Sequence, residues 1–457
     1  MANNKLFKEF YRIQASCYNI IMYKLYPYFT NDGSVGLFSP ADDDIYHSTY
    51  GALTEAYEKF VLPMNLEKFF ADSTNIKILD ICFGIGYNTK SFFDFFLKNI
   101  YSKNNNNAPI YSDNILRSKE QKINNKISIY IKAVDTDKTL AYLSPFFVTG
   151  KKLPKNYKLP FEEKRIEKLI HKHDVDNNKN KIKQNKPKQS ASTDCKDENQ
   201  KTTFDNKLSR ITNIIFLKEI IKNSNNFLVD PEINQILTDK NYRNYFDKFM
   251  VNLFNFERNR RYIYTPLRRL NVFLHNIYYN HVSISYKKAL KCLKLNDFTF
   301  DLKIEDARVA LQNDNNLYNY VFLDAFTPAK CPCLWTEDFF KLLYAHLDDN
   351  GMIFTYSNSA AVRNAFLNAG FYVGKIYNES AGKFMGTVAC KNKSLIKFEL
   401  SEYDLGLLKT KAGIVYRDEN FNSTNEAIIE SHKKAVETSN LISSSQYIKN
   451  TRRNANV

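Results

Sequence analysis

The chain has 457 residues, 44% hydrophobic and 14% aromatic, with a formal net charge of +16. That length suits one large domain with insertions or two or three smaller ones, with enough apolar material for a sizeable core. The basic surplus favours nucleic acid or anionic membrane surfaces as partners. No uninterrupted apolar run approaches the roughly 20 residues of a membrane helix. The opening MANNKLFKEFYRIQ carries charge where a signal peptide needs its apolar stretch, so a cytoplasmic, soluble protein without membrane partners is expected. The seven cysteines are scattered and odd in number, as in a reducing compartment. Cys331 and Cys333 form C-P-C without a second pair or a nearby histidine at zinc spacing, so no metal is expected.

In chain order, residues 1–74 read as a mostly helical cap segment after an irregular start. Within it, SPADDDIYHSTYGALTEAYEKFVLP (39–63) carries a periodic helix with Leu53, Tyr57, Phe60 and Val61 on one face, stopped by Pro63. From Ile76 the texture changes. IKILDIC (76–82) reads as a buried strand and NTKSFFDFFLKNI (88–100) as a helix. After an Asn-rich loop, ISIYIKAVD (127–135) reads as a second strand. FTFDLKIED (298–306), YNYVFLDAF (318–326) and GMIFTYS (351–357) read as the third to fifth strands, with SAAVRNAFLNAG as the next helix. FYVGKIY and MGTVACK supply a closing antiparallel pair. Strands alternating with helices predict an α/β parallel sheet.

The strand series is interrupted by an insertion over 146–294, which splits the core into 75–145 and 295–390. Residues 171–206 are polar, lysine-rich and expected to be disordered, because so little apolar surface cannot offset the ordering entropy. Helical patterns flank them at 211–223 and 242–264. A partly helical tail, 391–457, ends in TRRNANV.

The first strand leads into DICFGIGYN, whose Gly84 and Gly86 let backbone approach a ligand closely. Thr89 occupies the third glycine position of a dinucleotide fingerprint, and Asp80 would repel a diphosphate. An acid there suits a ligand with a cationic amino-acid end. Asp135, closing the second strand, is placed to accept from both ribose hydroxyls. Asp306, in IEDAR beside Ala307, is placed to accept from an adenine amino group. In this order at one sheet edge, the acids fit S-adenosylmethionine.

The fourth strand leaves through VFLDAFTPAKCPCLWTEDFF (321–340). Asp324 sits where that strand meets the crevice and needs a cation or donor to offset its desolvation. Phe326 and Trp335 offer flat walls, and Pro328 and Pro332 stiffen the loop. Trp335 reads equally as a packed loop anchor.

These motifs resemble the MnmC-type tRNA methyltransferases. DAFTPAKCPCLW is similar to their D-G-F-A-P-A-K-N-P-x-M-W loop, and DICFGIGYN to their E-x-G-F-G-x-G-x-N. IYHSTYGALTEAYEKFVLP resembles a family segment at Tyr46, Ser48, Gly51, Glu55 and Val61. AVDTDK, IEDAR and AVRNAFLNAGFYV have family counterparts, and AGKFMGTVA resembles a divergent G-x-K-R-E-M. Cys82 stands where the family has glycine, Asp80 and Asp135 where it has glutamate, and only Lys383 remains of the basic pair.

The resemblance implies a Rossmann-like class I S-adenosylmethionine-dependent methyltransferase fold with a helical, partly disordered insertion. It implies methylation of the exocyclic amine of 5-aminomethyl(-2-thio)uridine at the tRNA wobble position. The cofactor site would comprise Asp80, Gly84, Gly86, Asn88, Asp135, Asp306, Ala307, Glu55 and Tyr46. Asp324 would be catalytic. Phe326, Pro328, Lys330, Trp335 and Lys383 would meet the RNA. FERNRRYIYTPLRRL (256–270) is a candidate contact for the anticodon-stem backbone. No second glycine fingerprint is present, so no FAD is expected, and other enzymes would install the aminomethyl group. Two rival readings remain: a spermidine-synthase-like aminopropyltransferase and a catalytically inactive RNA-binding homologue.

Overall fold

The computed structural model describes residues 26–30, 32, 34–39, 44–46, 51–102, 127–137, 140, 141, 144, 295–379 and 381–455. The segments 171–206, 211–223, 242–264 and 256–270, and Ser48, lie outside the described residues.

Short strands β1 (Tyr26–Phe29), β2 (Val35–Ser39) and β3 (Asp44–Ile45) form an antiparallel sheet. The described residues between 26 and 45 therefore depart from the mostly helical segment that the sequence predicts. Leu37 and Phe38 show why: they are consecutive and both buried, which suits a strand covered on two faces.

The helix predicted within 39–63 begins at Ala52 and changes gauge. Helix α1 (Ala52–Ala56) passes into a wide π-helical turn at Tyr57–Val61 and then a tight 3₁₀ turn at Leu62–Met64 around Pro63. Such wide turns are uncommon and recur at functional sites. Helix α2 (Leu66–Asp72) follows.

The main sheet has seven strands. β4 (Asn75–Ile81) and β5 (Ile127–Asp135) precede the insertion. β6 (Leu295–Ile304), β7 (Tyr318–Leu323), β8 (Leu347–Thr355), β9 (Tyr372–Asn378) and β10 (Lys383–Cys390) follow it. The spatial order is β6-β5-β4-β7-β8-β10-β9. The first five strands run parallel, and β10 is antiparallel to both neighbours. The chain moves outward from β4 through β5 to β6, then returns to the other side of β4 with β7. That reversal opens a crevice at the carboxyl ends of β4 and β7, where ligands bind in open α/β sheets.

Strand alternation assigns the two faces. Leu79, Ile81, Val321, Leu323 and Ile353 join one buried cluster with Phe339, Phe340, Val362 and Phe366. These come from α5 (Glu337–His346) and α6 (Ala360–Asn368), whose Phe340 and Phe366 rings stack at 3.8 Å. On the opposite face Phe322 meets Phe60 edge-on at 5.8 Å. Helix α3 (Tyr87–Ser102) adds Phe92, Phe93 and Phe96 there.

Residues 391–455, read from sequence as a tail, include segments that pack against the core. They form α7 (Glu402–Leu408), α8 (Asn425–Thr438) and α9 (Ser444–Ala455), and Ile428 of α8 lies in the main cluster. Arg308, in α4 (Ala307–Gln312), ties this segment down. Its guanidinium bonds Asp306 at 2.7 Å and the fully buried Asp418 at 2.6 Å, and donates to the Ser423 carbonyl. Asp418→Ala should leave this guanidinium short of a partner away from water. A loss of about 2 kcal/mol or more is expected, seen as a lower urea midpoint at unchanged slope.

Candidate active site

The turn after β4 is built by backbone bonds to its neighbour strand. The amides of Cys82 and Phe83 donate to the Val134 carbonyl at 2.9 and 3.1 Å, and the Gly84 amide donates to Asp135 Oδ2 at 2.7 Å. Gly86 sits at φ +78°, and a Cβ there would lie 2.5 Å from the Phe83 ring. At Gly84 (φ +55°) a Cβ would meet only the Cys82 carbonyl oxygen, 3.9 Å away. Cys82 adopts φ +61°, the left-handed region that a glycine enters without cost.

Asp80 is completely buried on the α3 face. Its Oδ2 accepts from the Thr89 hydroxyl at 2.5 Å, whereas Oδ1 has no partner among the described residues. Burial pushes its pKa up to about 8, with the Asp324 and Asp135 charges adding to the shift. Asp135 is also buried, and burial raises its pKa to about 6 against the opposing bonds from the Asp137 and Gly84 amides. Asp135 therefore pins the glycine turn, with lone pairs left for further donors. Asp135→Ala should weaken S-adenosylmethionine binding by about tenfold or more, as loss of a hydrogen bond to a charged group does. Titration calorimetry reads this directly.

Asp324 follows β7, its amide donating to the Ile81 carbonyl at 3.3 Å. Asn88, on the first turn of α3, donates from Nδ2 to Asp324 Oδ2 at 3.0 Å. Burial raises the Asp324 pKa. The Asn88 bond and the nearby Lys59 ammonium oppose that shift, and the Glu55 charge adds to it. Lys59 pairs with Glu55 at 3.1 Å and lies 5.9 Å from the centre of the Tyr356 ring. Tyr356 in turn donates to the Ala325 carbonyl at 2.8 Å. Lys59 and Tyr356 escaped the sequence reading. The four-residue spacing from Glu55 was the available signal for Lys59, but the wide turn that aims it was not.

The loop beyond Asp324 divides the expected RNA contacts. Phe326 is exposed, its ring 5.2 Å from Tyr46 and 5.8 Å from the Lys330 ammonium. Pro328 is half-buried beside them. Trp335 is fully buried, and its indole N–H donates to the Phe326 carbonyl at 2.7 Å. Its packing role holds, and the open face that stacking requires is absent. Asp306 caps α4 and is gripped by Arg308, which pulls its pKa down despite partial burial. The adenine-accepting oxygens expected of Asp306 are thus largely engaged. Ala307 is buried beside it. Lys383 starts β10 and is exposed, two strands from β7.

A carboxylate oxygen without a partner among the described residues, a turn in which a Cβ at Gly84 would meet only one atom, and three acids at one sheet edge fit a cationic adenosyl ligand. Among the described residues, no group of three or more His, Cys, Asp or Glu is placed to hold a metal ion. None of the described helices is long and apolar enough to cross a membrane.

Residues 273–392 match the model of a family described as S-adenosyl-L-methionine-dependent methyltransferase. That match takes in strands β6 to β10 of the mixed, Rossmann-like sheet, and the glycine turn lies outside it. An uncharacterized protein of Methanocaldococcus jannaschii is 32% identical over 160 residues, 35% of this chain and 42% of that protein. The tRNA 5-methylaminomethyl-2-thiouridine biosynthesis bifunctional protein MnmC of Legionella pneumophila is 27% identical over 106 residues, 21% of this chain and 15% of that protein. The chain thus spans less than half the length of either relative. In these parts the chain is similar to a methyltransferase family and to an MnmC protein. Among solved structures, MNMC2 from Aquifex aeolicus aligns with a TM-score of 0.45 and 18% identity, covering 92% of this chain and 87% of that one.

Proposed function

We propose that this chain methylates the exocyclic amine of 5-aminomethyluridine, with or without the 2-thio group, at the tRNA wobble position. One observation carries the reading. Asp324, aligned by Asn88, lies at the carboxyl edge beside the glycine turn, on a loop that presents an exposed aromatic ring and a lysine. The Legionella relative is a protein of tRNA 5-methylaminomethyl-2-thiouridine biosynthesis, and that nucleoside is the methylated product of this reaction. S-adenosylmethionine, when bound, supplies an electrophilic methyl group on a sulfonium.

The protein's own residues then align and deprotonate. An aminomethyl group is largely an ammonium at neutral pH and must lose a proton before its lone pair can attack. Asp324, with its raised pKa, accepts that proton directly or through one water. Asn88 holds the accepting oxygen in place, and the Glu55–Lys59 pair sets the field around it. Phe326 and Tyr46 offer apolar ring surface to a uridine turned out of its stack.

The test is an assay of purified protein with labelled S-adenosylmethionine and tRNA bearing 5-aminomethyluridine, followed by nucleoside mass spectrometry. A gain of one methyl on that nucleoside is expected. Activity on putrescine with the decarboxylated cofactor, and none on tRNA, would replace this reading with aminopropyl transfer.

A further inference from the structure

The β9–β10 hairpin runs past the sheet it belongs to. Thr387 pairs with Thr355, the last residue of β8, so residues 383–386 project beyond the carboxyl edge. There Lys383 pairs with Asn378 and Phe384 with Tyr377. Phe398 completes a ring cluster, with centroids 5.1 Å (Tyr377–Phe384), 5.3 Å (Tyr377–Phe398) and 5.8 Å (Phe384–Phe398) apart.

Such clusters ordinarily sit inside a protein, yet Phe384 is 42% exposed and Tyr377 37%. Exposed apolar groups of this kind, rimmed by polar residues, mark interaction sites. Lysines frame the rings: Lys375 lies 4.2 Å from the Phe384 centroid and Lys397 5.3 Å from that of Phe398. Asp404 and Glu379 pair with those two ammoniums, and Lys383 stands exposed at the start of the strand. Flat faces beside ammonium groups are what unpaired nucleobases and their phosphates require. An overall charge of +16 favours that polyanion.

The position also fits. β9 is three strands from β7, and β10 two, so at strand spacings of about 4.8 Å the cluster lies roughly 10–15 Å sideways from the exit of Asp324. We propose that Tyr377 and Phe384 stack unpaired bases of the RNA that flank the nucleotide held at Asp324. This rests on RNA being the substrate.

The experiment measures binding of the full chain to an unmodified tRNA transcript by fluorescence anisotropy across a salt series. Y377A/F384A should bind about tenfold more weakly, and Y377F/F384Y should bind as the parent does. The salt slope should stay unchanged in Y377A/F384A and fall by about one in Lys383→Ala. In the parent chain, a transcript carrying 5-iodouridine in its anticodon loop should crosslink to Tyr377 or Phe384, a readout that does not depend on a variant folding. Equal binding by the parent and Y377A/F384A, or crosslinks confined to other residues, overturns the hairpin's role and leaves the proposed substrate standing. A parent chain that binds no RNA overturns both.

Discussion

Asp324→Asn is expected to lower the rate of methyl transfer by about two to three orders of magnitude, the range that a positioned general base supplies. Asparagine keeps an oxygen for the Asn88 amide, so the alignment at 3.0 Å survives while the proton acceptor is lost. Cofactor affinity should therefore hold, and the loss should appear in single-turnover rates at saturating tRNA. The pH profile separates this from mere loosening of the loop. Burial raises the Asp324 pKa, so its basic form accumulates only above that raised value, and the parent rate should climb with pH through it. In the variant that limb should disappear, leaving only the limb set by ionisation of the substrate amine. Turnover at the parent rate would remove Asp324 from the chemistry.

The parts of this molecule legible in its sequence are those with strong local signals. The strand at 127–135 was readable to the residue because it is nearly continuous in β-branched and apolar side chains, as a strand buried on both faces must be. The glycine turn was legible because left-handed backbone leaves a compositional trace at Gly84 and Gly86. Cys82 hides the same trace, since a non-glycine residue there holds the conformation under strain.

Long-range geometry was not legible. Nothing local in the sequence around Arg308 announces that it will meet Asp418, 110 residues away, or that Ile428 will complete the core. Trp335 had two readings that no spacing separates, and only its burial and its bond to the Phe326 carbonyl decide between them. Lys59 depended on a change of helical gauge that propensities do not encode.

Asp80→Asn should weaken S-adenosylmethionine binding by at least about tenfold at pH 8, and it should abolish a proton release that the parent chain shows. The ligand-free parent buries Asp80, with one oxygen unpartnered among the described residues, and burial together with the Asp324 and Asp135 charges pushes its pKa up to about 8. At pH 7 the group therefore holds its proton. A sulfonium and an ammonium entering the crevice favour the carboxylate and draw the pKa down, so binding expels a proton. The sign follows: affinity rises with pH up to about 8 and levels off above it, once the free form is already ionised. Calorimetry in two buffers of different ionisation enthalpy counts the protons released, and S-adenosylhomocysteine, which lacks the sulfonium charge, should release fewer.

Stability runs the other way. A carboxyl group whose folded pKa lies above its ordinary 3.8 stabilises the fold fully below that value and loses its contribution as pH rises toward about 8. Asparagine suffers no such loss, so ligand-free Asp80→Asn should melt above the parent at pH 8 even though it binds the cofactor worse. A variant that binds normally, with a parent chain that releases no proton, would mean that the positive charge of the donor is met elsewhere.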